Sequence, residues 1–352
     1  MVQTITIEEF FALGTIPIID VRTPAEFTKG HIPGAFNVPL FSNEERILIG
    51  TTYKKQSREE AILKGFDLVG PKWSGFIKDC IKISPQKRIA LHCWRGGMRS
   101  AAMAWALDLY GFKVYTIKGG YKSYRAWVRS NFEKPYQLFV LGGMTGSGKT
   151  KLLQQMQMQH QQVIDFEELA QHKGSAYGSM NHLVQPSQEQ FENNLALSFS
   201  QLDAIKPIWV EDECQMIGRC SIPLPLWQQM RQAIVADFQI PYRERVNNLM
   251  KEYAVLDKNF LVECTQRISK RLGPLETKLA ITAINENQME TFIKTVMVYY
   301  DKQYFKGLSK RADEKIFAIK SNGTHLEEDS RLLIDFSHIQ QKKTFKKIAD
   351  GI

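Results

Sequence analysis

The sequence predicts an α/β protein made of two parallel-sheet domains, and three observations carry that reading. Short apolar runs alternate with helix-length segments along most of the chain, as expected of strands that cross back through helices. Two of those runs, residues 88–91 and 136–141, end in glycine-bearing loops that lead straight into predicted helices. A length of 352 residues also exceeds what a single core usually organises. The polar stretch SNFEKP, residues 130–135, marks the boundary, giving domains 1–134 and 135–352.

Taken in order, residues 16–22 (IPIIDVR) form an apolar strand ending in charge, where a parallel strand opens onto a site. A short helix follows, with Thr23 as N-cap, Pro24 at the first position and Glu26 at the third, a capping box. Residues 30–39 (GHIPGAFNVP) are a punctuated turn entering another strand, and His31 in so constrained a turn reads as a local hydrogen-bonding post. Residues 41–73 read as helical, with Arg46, Lys54, Lys55 and Arg58 on an exposed face.

The stretch HCWRGGMRS, residues 92–100, then puts Cys93 at the mouth of a loop that feeds a helix. Unpaired amides, the helix dipole, Arg95 and Arg99 all favour a thiolate there. Gly96 and Gly97 let the loop curl so that its amides, with those of Trp94 and Met98, face one centre. Cys93 therefore reads as a nucleophile in an anion cradle rather than as a small buried hydrophobe. A further strand, residues 113–117, and the segment GGYKSY, residues 119–124, complete the domain.

In the second half, the run 136–141 (YQLFVL) precedes GMTGSGKT, residues 143–150. Gly143, Met144, Thr145, Gly146, Ser147, Gly148, Lys149 and Thr150 satisfy GxxxxGK[ST] in the strand–loop–helix context that the motif requires. Its amides wrap a diphosphate, Lys149 neutralises it, and Thr150 reaches a magnesium ion. Asp165 ends another strand, and residues 207–213 (PIWVEDE) run into three acids like a Walker-B element, making Glu211 or Asp212 the metal's second contact. Glu213 reads as solvent-exposed charge. His172 and Ser175 fall in a polar, glycine-bearing loop suited to capping a phosphate. From residue 240 onwards the chain reads as mostly helical, with Arg243, Arg245, Arg267, Lys270 and Arg271 as candidate contacts to a nucleic-acid backbone.

Composition bounds these readings. Apolar content of 43% and charged content of 24% are those of an ordinary globular chain. The net charge of +9 favours polyanionic partners. Five cysteines without a CxxC pair argue against a disulfide framework or a zinc site and fit a reducing compartment. The opening MVQTITIEEF has no basic, apolar leader, and no run reaches membrane-spanning length. A cytoplasmic protein with no membrane partner is the expectation.

The segments IDVRTPAEF (19–27), GHIPGA (30–35) and IKGGY (117–121) resemble rhodanese domains, which implies that Cys93 carries sulfur or selenium as a persulfide or selenosulfide. The loop is longer than in most rhodaneses: Cys93, five residues, then Arg99 and Ser100 also matches the cysteine phosphatases that share the rhodanese fold. The first domain alone thus leaves chalcogen transfer and phosphate-ester hydrolysis both open.

A rhodanese-like domain followed by a P-loop domain resembles the bacterial tRNA 2-selenouridine synthases along essentially the whole chain. The segments 169–178, 210–213, 267–272 (RISKRL) and 299–304 (YYDKQY) also look like that family. Lys173, Tyr177 and Cys214 depart from its usual Arg, Phe and Ser. The resemblance implies replacement of sulfur in wobble 2-thiouridine of tRNA by selenium from selenophosphate, after geranylation of that sulfur by geranyl diphosphate. No tightly bound cofactor is expected; the magnesium ion at Thr150 is the expectation from the P-loop motif. The competing reading is a phosphatase or sulfurtransferase joined to an ATP-using domain.

Overall fold

A computed structural model of the chain describes residues 2–173, 177, 184–253 and 255–349. By contacts it divides into one unit of Met1–Asn131 with Glu189–Leu197, and a second of Phe132–Gln188 with Ser198–Ile352. A cut after residue 134 would leave Glu189–Leu197 in the second half; its side chains instead reach the first unit, where Asn193 donates to the Tyr121 hydroxyl and to the His31 carbonyl, each at 2.8 Å.

The first unit is built on a five-stranded sheet. Its strands are Val2–Ile5 (β1), Ile18–Asp20 (β2), Phe36–Asn37 (β3), Arg88–His92 (β4) and Lys113–Ile117 (β5). The order is β1-β5-β4-β2-β3, and every pairing is parallel. Helices cover it, so the middle strand reads as a continuous apolar run: Ile89, Ala90 and Leu91 are fully buried. Truncating one such residue, as in Leu91→Ala, costs about 2–5 kcal/mol. Both ends of the Thr23–Glu26 capping box are made. The region 41–73 is helical as expected, in the helices Asn43–Lys55 and Arg58–Val69, the second capped by Ser57, followed by a 3₁₀ turn at Gly70–Lys72.

The second unit repeats the plan. Its strands are Leu138–Gly142 (β6), Gln162–Ile164 (β7), Ile208–Glu211 (β8), the hairpin pair Met216–Ile217 (β9) and Cys220–Ser221 (β10), Ile234–Gln239 (β11) and Ile316–Lys320 (β12). The main sheet runs β12-β11-β6-β8-β7, again all parallel. The chain leaves β6 towards β7 and β8 on one side and returns through β11 on the other, so the crevice beyond β6 is the switch point where such sheets bind ligands. Beyond residue 240 the described chain is mostly helical, as expected, with β12 as the exception. That strand is five residues between long helices, too short for its period to show.

Candidate active site

Cys93 stands one residue beyond β4, the central strand, at its carboxyl end. The loop is held against the segment after β5. Gly96 has φ 66°, and a Cβ there would lie 2.9 Å from the Ile117 carbonyl oxygen, so only glycine fits. The Tyr121 and Lys122 amides donate to the carbonyls of Cys93 and Trp94, each at 2.9 Å. Gly97 opens the helix Met98–Leu109, which brings the positive end of its dipole to the sulfur.

The Gly97 amide donates to Cys93 Sγ at 3.3 Å, and the Ser100 hydroxyl lies 3.3 Å from it. Burial alone pushes this thiol up. The Ser100 hydroxyl and the amides of Ser100, Arg95 and Gly97 outweigh it, and the pKa falls below the ordinary 9.0. Cys80 supplies an internal control: buried with no such ring, beside Asp79, its thiol is pushed up to about 12. The sulfur of Cys93 is thus both packed into the core and ringed by donors.

The two arginines differ from the expected pair. Arg99 forks onto Glu26, at 2.6 and 3.2 Å, so the third residue of the capping box also neutralises the loop's cation. Burial lowers the Arg99 pKa, but Glu26 and then the Cys93 thiolate raise it, with a net rise. Arg95 is exposed, as are Trp94 and Met98. Beneath the loop the buried Arg22 clasps Asp20, donates to the Gly30 carbonyl at 2.7 Å and lies 3.7 Å over the Tyr121 ring. Fully buried His92 is kept neutral by that burial. His31 is the expected post, bonded to the Phe27 carbonyl at 3.0 Å and stacked on the Phe27 ring.

In the second unit the loop after β6 ends at Gly148, whose φ of 84° starts the helix Lys149–Met158. Lys149 Nζ donates to the Gly143 carbonyl at 2.9 Å and lies 3.5 Å from Glu211. The Thr150 hydroxyl donates to Glu211 at 3.4 Å. Carboxylate oxygens of Glu167, Glu211 and Glu213 lie within 4.8 Å of one another. Burial, then for Glu213 the charges of Glu211 and Glu167, raise the pKa values of Glu211 and Glu213. Three converging carboxylates beside a threonine hydroxyl are a hard-oxygen donor set that fits magnesium.

Glu213, read as solvated from the sequence, therefore belongs to the site, and Glu167 is a member that no motif announced. Asp212 does not: its carboxylate is held by buried Arg311 at 2.6 Å, because alternate residues of an extended segment face opposite ways. Asp165 caps the helix Phe166–Ala170 by accepting from the Glu168 amide, close enough for its charge to raise the Glu211 pKa. His172 is half-buried, with a lowered pKa caused by desolvation. Ser175 lies outside the described residues.

A family model described as the tRNA 2-selenouridine synthase AAA domain matches residues 136–326, and a rhodanese-like domain model matches 7–126. Relatives include tRNA 2-selenouridine synthases of Nitrosomonas europaea, 36% identical over 77% of this chain and 71% of that one, and of Nitrosomonas eutropha, 33% identical over 96% and 87%. That of Pseudomonas putida is 35% identical over 87% and 93%. The chain belongs to the tRNA 2-selenouridine synthase family. The thiol of Cys93 lies in the part matched by the rhodanese-like model, and Lys149 with its acids in the part matched by the AAA-domain model.

Of the basic candidates for RNA contact, Arg243, Arg267, Lys270 and Arg271 are exposed on the helices Tyr242–Tyr253, Lys258–Arg267 and Ser269–Leu272. Arg267 pairs with Glu263 one turn before it. Arg245 is a correction: it is buried, bonded to the Thr145 carbonyl at 2.9 Å and forked onto Asp301. It holds the P-loop in place and faces no RNA. Among the described residues no helix is long and apolar enough to cross a membrane.

Proposed function

We propose that this tRNA-modifying transferase replaces the sulfur of wobble 2-thiouridine with selenium from selenophosphate, by way of S-geranyl-2-thiouridine made from geranyl diphosphate. Family membership supports the overall reaction. The amide-ringed, acidified thiol of Cys93 is the single observation that most supports the division of labour.

In the first step the thiouridine sulfur attacks the allylic carbon of geranyl diphosphate. The carbon–oxygen bond breaks, and diphosphate leaves with the electron pair. The P-loop amides and Lys149 are suited to stabilising that departing charge, and a magnesium ion held by Thr150, Glu211, Glu213 and Glu167 would add Lewis acidity there. Alkylation turns a poor leaving group at C2 into a better one.

In the second step the cradle holds selenophosphate with Arg95 nearest solvent. Cys93 Sγ attacks selenium, the P–Se bond breaks, and phosphorus departs as phosphite with the electron pair. Two small-molecule thiols then supply the electron pair and leave as their disulfide, restoring the Cys93 thiolate, as selenide moves from the selenosulfide to C2 and the geranyl thiolate leaves. Nucleoside mass spectrometry of 2-thiouridine tRNA, with selenophosphate and geranyl diphosphate omitted in turn, tests the sequence. Phosphorus-31 spectra test the carrier: phosphite supports it, whereas phosphate alone means that selenophosphate attacks the base directly and Cys93 is no carrier.

A further inference from the structure

Next to Cys93 the rhodanese-like unit holds a cavity of about 1080 Å³, at the upper end of ligand pockets generally and far larger than an oxyanion requires. The helices Asn43–Lys55 and Arg58–Val69 form one wall, and the start of the helix Met98–Leu109 forms another. Leu40, Phe41, Ile49, Ile62, Phe66 and Trp73 make the lining apolar, and Cys93 itself is part of it. Arg46, Lys54 and Arg58 also line it. Phe66 is 63% exposed, an apolar ring kept against water where a solvated helix face would carry charge.

An apolar chamber that ends on an anion-stabilised thiol and carries cations fits one kind of molecule, a polyanion bearing a hydrocarbon tail whose reacting atom lies between the two. We infer that the cavity takes the alkyl chain on the sulfur of the modified base, a branched hydrocarbon of about ten carbons, with the C2–S bond brought to Cys93 and the flanking RNA phosphates facing Arg46, Lys54 and Arg58. This deepens the geranylated route proposed above and rests on it. Burial of the chain selects the alkylated base over the free thiocarbonyl at the selenation step, since each buried methylene multiplies affinity by about fourfold. When selenide attacks C2, the C2–S bond breaks and the thiolate leaves with the electron pair. It takes a proton from water, and the chain stays behind as an apolar product.

The test uses the full chain and anticodon stem-loop RNA carrying S-methyl-, S-dimethylallyl- or S-geranyl-2-thiouridine, without selenophosphate. The readout is protection of Cys93 from iodoacetamide. The inference expects protection to tighten from methyl to geranyl by at least about tenfold. Ala102 lines the chamber too; Ala102→Trp, which fills it, and Ile62→Asp, which makes it polar, should each erase that dependence. Both should keep the midpoint of Cys93 alkylation against pH below 9.0 without RNA, which shows that the loop is intact. Protection independent of chain length in the wild-type protein overturns the inference, as does a dependence that survives both variants. So does equal protection by geranyl diphosphate alone, which would make the donor the occupant. Failure of the geranylated route itself looks different: added selenophosphate would then convert 2-thiouridine RNA but none of the S-alkylated RNAs, whatever the protection shows.

Discussion

The two loops share a position and differ in charge. Each follows the central strand of an all-parallel five-stranded sheet and opens a helix. The loop of the rhodanese-like unit contains its own nucleophile, and its better-placed cation, Arg99, is already matched by Glu26. Amides and a hydroxyl are left to hold negative charge. Around the P-loop the carboxylates of Glu167, Glu211 and Glu213 crowd a single lysine, Lys149, and on the function proposed above a diphosphate and a cation would enter it together. On the proposed division of labour one site would act through a bond to sulfur and the other by electrostatics.

The largest expected effect is a crossover between them. Cys93→Ser should abolish selenation and leave geranylation intact. Lys149→Ala should lower geranylation by about 10²–10³-fold while selenation of pre-geranylated RNA continues. Nucleoside mass spectrometry separates the two products. If either variant removes both activities in a folded protein, the division of labour is wrong.

A sharper probe is the thiol itself. The rate of iodoacetamide alkylation against pH should show a midpoint below 9.0, because the folded protein holds the thiolate. Ser100→Ala removes one hydrogen bond to a charged sulfur, worth about 1.5–3 kcal/mol, and should move the midpoint up by about one to two pH units. Activity near neutral pH falls and recovers as pH rises. An unshifted midpoint would mean that the amides alone ionise the thiol.

These differences were unequally legible in the sequence. Both loops, their strands and the capping box follow from local pattern, because strand, glycine turn and helix start are contiguous in the chain. Glu167, the Arg99–Glu26 fork and the Asp212–Arg311 pair depend on partners 44 to 99 residues apart, and spacing carries no trace of them. Arg245 was recoverable: Val246, Leu249 and Tyr253 share its buried stripe, whereas Arg243 falls on the opposite side of the helix. The cavity could not be read at all, since a helical hairpin with apolar residues at its mouth looks like a poorly patterned surface.

A smaller effect concerns the carboxylates. Glu211 and Glu213 have folded-state pKa values raised above the unfolded one, so the folded state binds extra protons. The associated stability is complete below the ordinary glutamate value and drains as pH rises. Without a divalent cation the second unit should therefore melt lower at neutral pH than near pH 5. Magnesium should raise its melting temperature at neutral pH. Glu213→Gln should raise it by a few degrees without magnesium and shrink the magnesium increment. Calorimetry reads all of these, and a variant that melts lower without magnesium would show that the trio is not under mutual repulsion.

The smallest effect tests the surface rather than the loops. Arg243 and Arg271 are exposed and among the basic side chains free to meet phosphate, so each change to alanine should weaken tRNA binding about equally for all sequences. The slope of log affinity against log salt should fall by about one for each residue removed. Arg245→Ala must behave differently. It strips the buried partner from Asp301 and from the Thr145 carbonyl, a loss of about 3–5 kcal/mol. It should lower stability and diphosphate binding while the tRNA salt slope stays unchanged. If Arg245→Ala lowers the slope and Arg243→Ala does not, the basic face has been assigned to the wrong side of its helix.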